Sequence, residues 1–148
     1  MNLRRAAPAD LESLVALQHA AYAINRTLLG VEPIPLQADY RAIMTQMEVW
    51  LAADATDVHG ALILEPNSDH LLIWSIATDP TRPPQGLGRD LLAFAERRAR
   101  ELNLSLLRLY TGTKLTHLVA WYGRHGYVVE RIEERPDRSI THMRKEVL

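Results

Sequence analysis

Apolar residues recur at helical spacing near the start of the chain, at Leu11, Leu14, Val15, Leu17 and Ala21, just behind Pro8, Ala9 and Asp10. A proline and an acidic residue there open a helix, and the spacing carries it to about residue 23. A short strand over residues 3–6 precedes it. Between residues 24 and 36, Asn25, Gly30, Pro33 and Pro35 interrupt the pattern, which predicts a long connection of the kind that often serves function. A second, short helix is expected over residues 37–45. Strands follow at Glu48–Ala53, residues 58–64 and Leu71–Thr78, and the short polar separators predict an antiparallel meander. The stretch LLIWSIAT is apolar on both faces and reads as the central strand, closed by Asp79 and Pro80.

Beyond it, Leu87, Leu91, Ala95, Ala99 and Leu102 share one face of a long helix, with Arg89, Glu96, Arg97 and Arg100 elsewhere. Asn103 can end that helix. A strand over residues 104–111 and a helix over 116–125 come next, the latter stopped at Gly126, where a left-handed cap suits glycine. Two last strands, 127–133 and 140–145, flank a turn at 135–138. The pattern describes one domain of the α/β (α+β) class, a mixed sheet with helices on both faces.

Composition narrows the chemistry. The chain has 148 residues, long enough for one self-sufficient core, and no cysteine. Disulfides, Cys-ligated metal, iron–sulfur clusters and a thiol nucleophile are thereby excluded. Its 17 Lys+Arg against 18 Asp+Glu leave a net charge of −1, which offers no electrostatic case for nucleic acid. No apolar run approaches a membrane span, and Asp10 and Glu12 interrupt any leader-like stretch. A cytoplasmic protein without a membrane partner is expected. The histidines His19, His59, His70, His117, His125 and His142 lie on separate elements, so no metal site is expected.

The informative segment is LLIWSIAT followed by DPTRPPQGLGRDLLAFAE. Gly86 and Gly88 sit where a strand turns into a long helix. Glycine there lets backbone approach a ligand, and the unpaired N–H groups of the helix's first turn attract phosphate. Such a turn also uses glycine for geometry alone. A dinucleotide fingerprint is disfavoured because its third glycine position is Leu91, and a P-loop is excluded by the missing GK[ST].

Two patches together resemble the GNAT superfamily of acyl-CoA-dependent N-acetyltransferases. One is the loop Pro83, Pro84, Gln85, Gly86, Leu87, Gly88, in the place of that family's Q/R-x-x-G-x-G/A pyrophosphate loop; the other is LYTGTKLTHLVAWYGRHGY, ending at Tyr127. The opening LRRAAPADLESL and closing HMRKEVL also look like family ends. The resemblance implies a mostly antiparallel sheet of about seven strands and acetyl-CoA as co-substrate. It implies that backbone amides of Gln85, Gly86, Leu87, Gly88 and Arg89 cradle the CoA pyrophosphate. It further implies that main-chain groups of Ile76, Ala77 and Thr78 pair with the pantetheine arm in a cleft opened by the parting of the central strand from 104–111. Tyr122 is implied as the catalytic donor to the departing thiolate; otherwise it is an ordinary aromatic beside Trp121 and Tyr127. Arg82 and Arg89 are candidate phosphate contacts or solvated charges.

The sequence departs from the family at several positions. Trp74 stands where many members carry a general-base carboxylate, leaving Ser75, Glu48, Asp54 or His70 as unranked contacts for a water relay. Pro83 and Pro84 remove two backbone donors, and Leu118 replaces a common Asn. The resemblance implies that acceptor specificity comes from residues 22–35, the first helix and the final hairpin, with Tyr22, Asn25, Arg26 and Glu32 as candidates. The expected function is acetyl transfer from acetyl-CoA to a primary amine by direct attack in a ternary complex. The acceptor is a small-molecule amine, a peptide or protein N-terminus, or a lysine. The alternative is a non-catalytic GNAT-fold module that binds CoA or a metabolite. The protein is expected as a monomer or homodimer.

Overall fold

Alternating burial along the central strand and a buried stripe along the two longest helices fix the layers. A computed structural model describes residues 2–81 and 85–147. The elements run β1 (Leu3–Arg5), a 3-10 turn (Pro8–Asp10), α1 (Leu11–Ala23), α2 (Asn25–Leu29), α3 (Ile34–Gln37), α4 (Tyr40–Gln46), β2 (Glu48–Ala53), β3 (Val58–Pro66), β4 (Leu71–Thr78), α5 (Leu87–Glu101), β5 (Leu106–Gly112), α6 (Thr116–Arg124), β6 (Val128–Glu134) and β7 (Ser139–Glu146). Residues 24–36, expected as an unstructured connection, instead fold into α2, a left-handed turn at Gly30 (φ 72°) and the start of α3. Pro35 sits in the first turn of α3, where its missing N–H costs nothing. Asp39 caps α4 by accepting from the Arg41 and Ala42 amides, so that helix begins later than the pattern suggested.

The described strands form one seven-stranded sheet in the order β1-β2-β3-β4-β5-β7-β6. All neighbours are antiparallel except β4 and β5, and β4 lies at the centre. On one face α5 buries Leu87, Leu91, Leu92, Ala95 and Ala99 against Leu62, Leu64, Ile73, Leu107 and Leu109. On the other, Leu14 and Leu17 of α1 and Tyr40 and Ile43 of α4 pack on Val49, Leu51, Ala61 and Ile63. β3 thus alternates between the two cores and anchors the molecule.

Two local features shape the centre. Opposite β3, residues 63 and 64 pair with Ser75 and Ile73, so Trp74 is an extra residue, a β-bulge. Up to Ile73 the odd-numbered side chains face α5; past the bulge Trp74 and Ser75 both turn towards α1. The parallel pairing of β4 with β5 covers only Leu71↔Leu107, Leu72↔Arg108 and Ile73↔Leu109. Beyond Ile73 the two strands part. Among the described residues no helix is long and apolar enough to cross a membrane.

Candidate active site

The parted strands open into a cavity of about 480 Å³. Its walls are Ile73–Thr78 of β4 (Ala77 excepted), Leu109–Gly112 of β5, and Leu115, His117, Leu118, Trp121, Tyr122 and Arg124 on and before α6. Tyr22, Asn25 and Leu29 from α1 and α2, Pro33–Pro35 at α3, and Arg138–Ile140 of the last hairpin close the other end, and Gly88 touches it from α5. The sequence expectation that the central strand parts from the next one is met by this pairing.

The expected phosphate-binding turn lies beside the cavity. Gly86 takes a left-handed conformation (φ 78°) and caps α5, whose first turn holds Leu87, Gly88 and Arg89. A β-carbon on Gly86 would lie 3.1 Å from the Arg89 guanidinium, so that side chain folds back over the turn. A β-carbon on Gly88 would meet the Trp121 ring at 3.3 Å; glycine there keeps the floor between α5 and α6 open. Gln85 is exposed and precedes the helix. Arg82, Pro83 and Pro84, the other expected parts of the loop, lie outside the described residues. Ala77 is buried and its side chain does not line the cavity.

Tyr122 lines the cavity, stacked edge-on between Trp121 and Tyr127. Burial, with smaller contributions from Tyr22 and Tyr127, pushes its phenol well above the usual tyrosine range, so it is protonated at every working pH. The Tyr127 hydroxyl is the buried side-chain polar atom without a hydrogen-bond partner among the described residues.

The four base candidates separate. Glu48 is bound by Arg98 at 2.8 and 2.9 Å and accepts from Trp50, and Arg98 holds its carboxyl below the ordinary range. Asp54 bonds His59 in the β2–β3 turn, and His70 bonds Asp69 and Asn67. None of these lines the cavity. Ser75 does.

Ser75 is the middle of a buried chain that sequence reasoning missed. Its Oγ lies 2.7 Å from the Tyr22 hydroxyl and accepts from Gln18 Nε2 at 3.0 Å; Gln18 is fully buried and also donates to the Tyr40 hydroxyl at 3.1 Å. Tyr40 donates to the Pro35 carbonyl at 2.6 Å, and Tyr22 reaches the Ile76 carbonyl at 3.2 Å. Two proton orders satisfy this chain. Either Ser75 donates to Tyr22 and Tyr22 to the Ile76 carbonyl, or Tyr22 donates to Ser75 and Ser75 to Gln18 Oε1, 3.4 Å away. Burial pushes both the Tyr22 and the Tyr40 phenols up to about 12, so neither ionises.

Trp74 lines the cavity and sits edge-on to Tyr40. Tyr22 and Asn25 reach the site as expected. Arg26 and Glu32 do not: they form an ion pair with each other beside a separate surface depression. Their charges cancel locally and offer nothing to a ligand in the cleft. Among the described residues no group of His, Asp or Glu side chains could hold a metal ion.

Comparison with known proteins agrees with this architecture. No curated protein sequence matches the chain. The PaiA N-acetyltransferase of Thermoplasma acidophilum, solved in complex with coenzyme A, superposes with a TM-score of 0.79 at 16% identity, covering 98% of each chain. The ribosomal-protein-S18-alanine N-acetyltransferase of Escherichia coli gives 0.80 at 16% identity, over 99% of this chain and 93% of the other. A putative GNAT acetyltransferase of Desulfovibrio desulfuricans gives 0.75 at 22%, over 99% of each. These likenesses establish the fold. Residues 14–127 match the model of the acetyltransferase (GNAT) family, and the chain belongs to that family.

Proposed function

We propose that the protein transfers an acetyl group from acetyl-CoA to a primary amine by direct attack in a ternary complex. The observation that carries this reading is the cleft itself: a parted β4–β5 pair with Tyr122 on one wall and the glycine-capped start of α5 at its side. In this reading the amides of Gln85, Gly86, Leu87, Gly88 and Arg89 meet the pyrophosphate, where aligned N–H groups favour anions. Main-chain groups along Ile76, Ala77 and Thr78 accept the pantetheine arm as an added strand. A cofactor N–H taking the Ile76 carbonyl selects the proton order in which Tyr22 donates to Ser75.

The neutral amine attacks the thioester carbonyl, the N–C bond forms, the C–S bond breaks, and the proton lost by nitrogen ends on sulfur by way of solvent. Tyr122 supplies the hydrogen bond to the leaving sulfur. A phenol held so far above the thiol range stabilises the thiolate as a donor rather than surrendering its proton outright. Without a thiol in the chain, no cysteinyl acyl-enzyme intervenes.

The lack of a carboxylate among the described lining residues, with Trp74, also supports the non-catalytic reading, in which the fold binds CoA or a metabolite and signals to a partner. Release of CoA thiol from acetyl-CoA across a panel of amino acids, polyamines, aminoglycosides and peptide N-termini, beside calorimetric titration of CoA, separates the two. Turnover supports the transferase. Binding of CoA with no turnover on any acceptor supports the sensor, and failure to bind CoA removes both.

A further inference from the structure

The charge lining the cleft is one-sided. Among its described lining residues there is no Asp or Glu, while Arg124, Arg138 and His117 all contribute. Arg124 and His117 belong to α6, the helix that the transferase reading gives to the cofactor. Arg138 stands at the opposite end, in the turn before β7, where Ile140 pairs with Gly112 at the mouth of the parted strands.

Arg138 is also unusually placed for a surface arginine. Its side chain is 12% exposed, whereas its partner Asp137 is 55% exposed and does not line the cavity. Nε and Nη2 both bond the same Asp137 oxygen, at 3.3 and 3.0 Å, which leaves Nη1 out of that contact. An exposed carboxylate is well solvated and contributes little to such a pair, so a cation remains presented to the cleft. The nearby carboxylates are engaged elsewhere: Glu133 by Arg135 and His142, Glu134 by Ser139. The remaining surface at this end is mostly apolar and aromatic, from Leu29, Ile34, Trp74 and Tyr110, with Asn25 and Ser139 as uncharged polar members.

A polyamine or a lysine side chain would bring positive charge to a wall with nothing to receive it. An acceptor with its own carboxylate would bring the missing anion. We propose that the acceptor is a small amino-carboxylate, an amino acid with an apolar or aromatic side chain, whose carboxylate pairs with Arg138 while its amine faces the thioester. This rests on the transferase reading, and its products are the N-acetylamino acid and free CoA, with one proton released from the ammonium form.

The test is steady-state thiol release with phenylalanine, its amide, phenethylamine and spermidine at saturating acetyl-CoA, for the native protein and for Arg138→Gln and Arg138→Lys. A hydrogen-bonded charge pair predicts a kcat/KM for phenylalanine about tenfold or more above that for the amide and for phenethylamine. Arg138→Gln should lower phenylalanine turnover at least tenfold more than amide turnover, chiefly through KM, and Arg138→Lys should restore part of the preference. Equal or better turnover of phenethylamine or spermidine, or an equal loss on acid and amide, overturns the assignment and leaves the transferase reading intact. No turnover with any amine by a protein that binds acetyl-CoA in calorimetry overturns both.

Discussion

Replacing Ser75 by alanine removes one oxygen from the middle of the buried chain, and the neighbours determine its cost. Tyr22 loses its 2.7 Å partner but keeps the Ile76 carbonyl, and Gln18 Nε2 loses a 3.0 Å bond but keeps Tyr40. Gln18 Oε1 loses the one donor it has, in a residue with no exposed surface. Two lost bonds at about 1 kcal/mol each and an orphaned buried acceptor at about 1–3 kcal/mol bring the expected destabilisation to about 3–5 kcal/mol. At this size that lowers Tm by roughly 6–20 °C. Gln18→Leu should cost less, about 1–2 kcal/mol, because Ser75 keeps Tyr22, Tyr40 keeps the Pro35 carbonyl at 2.6 Å, and no buried acceptor is stranded. The double variant Gln18→Leu/Ser75→Ala should then be no less stable than Ser75→Ala alone. Urea unfolding with unchanged m-values measures all three. A Ser75→Ala cost under about 1 kcal/mol, or a double variant that sums the singles, refutes the chain as a coupled unit.

Tyr122→Phe should lower kcat for acetyl transfer by about tenfold to a hundredfold, the range of a charge-assisted hydrogen bond, with KM for acetyl-CoA nearly unchanged; unchanged turnover at saturating substrate removes its role. Because the Tyr122 phenol lies far above its usual range, native activity should show no alkaline fall attributable to it below pH 10, which a pH–rate profile against the Phe variant checks. Gly88→Val should raise the Kd for CoA about tenfold or more, since even a β-carbon meets Trp121 at 3.3 Å, and calorimetry with an intact circular dichroism spectrum reads it. Asp10, held at about 2 by Arg4 and by the Ala7 amide, is depressed in the folded state, so its contribution is fully present above about pH 4–5 and is lost as pH falls through 2. Asp10→Asn should flatten urea stability against pH in that acid window and nowhere else.

Most of the frame could be read from the amino acids because burial there follows simple periods. The helix face of Leu87, Leu91, Ala95 and Ala99 and the meander through Leu71–Thr78 appear in the structure nearly where the pattern put them. Gly86 and Gly88 were legible because a positive φ and a close approach to Trp121 each demand glycine. The misses have physical causes. A strict period of two keeps Ser75 on the face of Ile73, but the bulge at Trp74 turns it to α1, and a bulge leaves no compositional trace here. Residues 24–36 carry breakers, yet Gly30 serves as a helix cap and Pro35 as a helix start, so the same residues that suggested a loop punctuate two short helices. Arg26 and Glu32 are charges in the right segment, but six positions apart they meet and neutralise each other. Arg138 was not singled out within the final hairpin expected to shape acceptor specificity, because only the pairing of Ile140 with Gly112 shows that its turn reaches the cleft.

The three-residue contact between β4 and β5 also gives the middle of the sheet the character of an edge. From Ser75 to Thr78, β4 has β3 on one side and no β5 partner on the other. In an antiparallel ladder alternate residues direct their N–H groups to the partner, so the remaining amides of this stretch open onto the cavity. Hydrogen exchange in the ligand-free protein should therefore alternate along a strand that is otherwise among the most buried in the molecule, with every second amide exchanging fast. A molecule lying along those groups as an extra strand would slow that fast set selectively. The centre of the sheet then reports occupancy of the cleft through its own backbone, whatever the acceptor is.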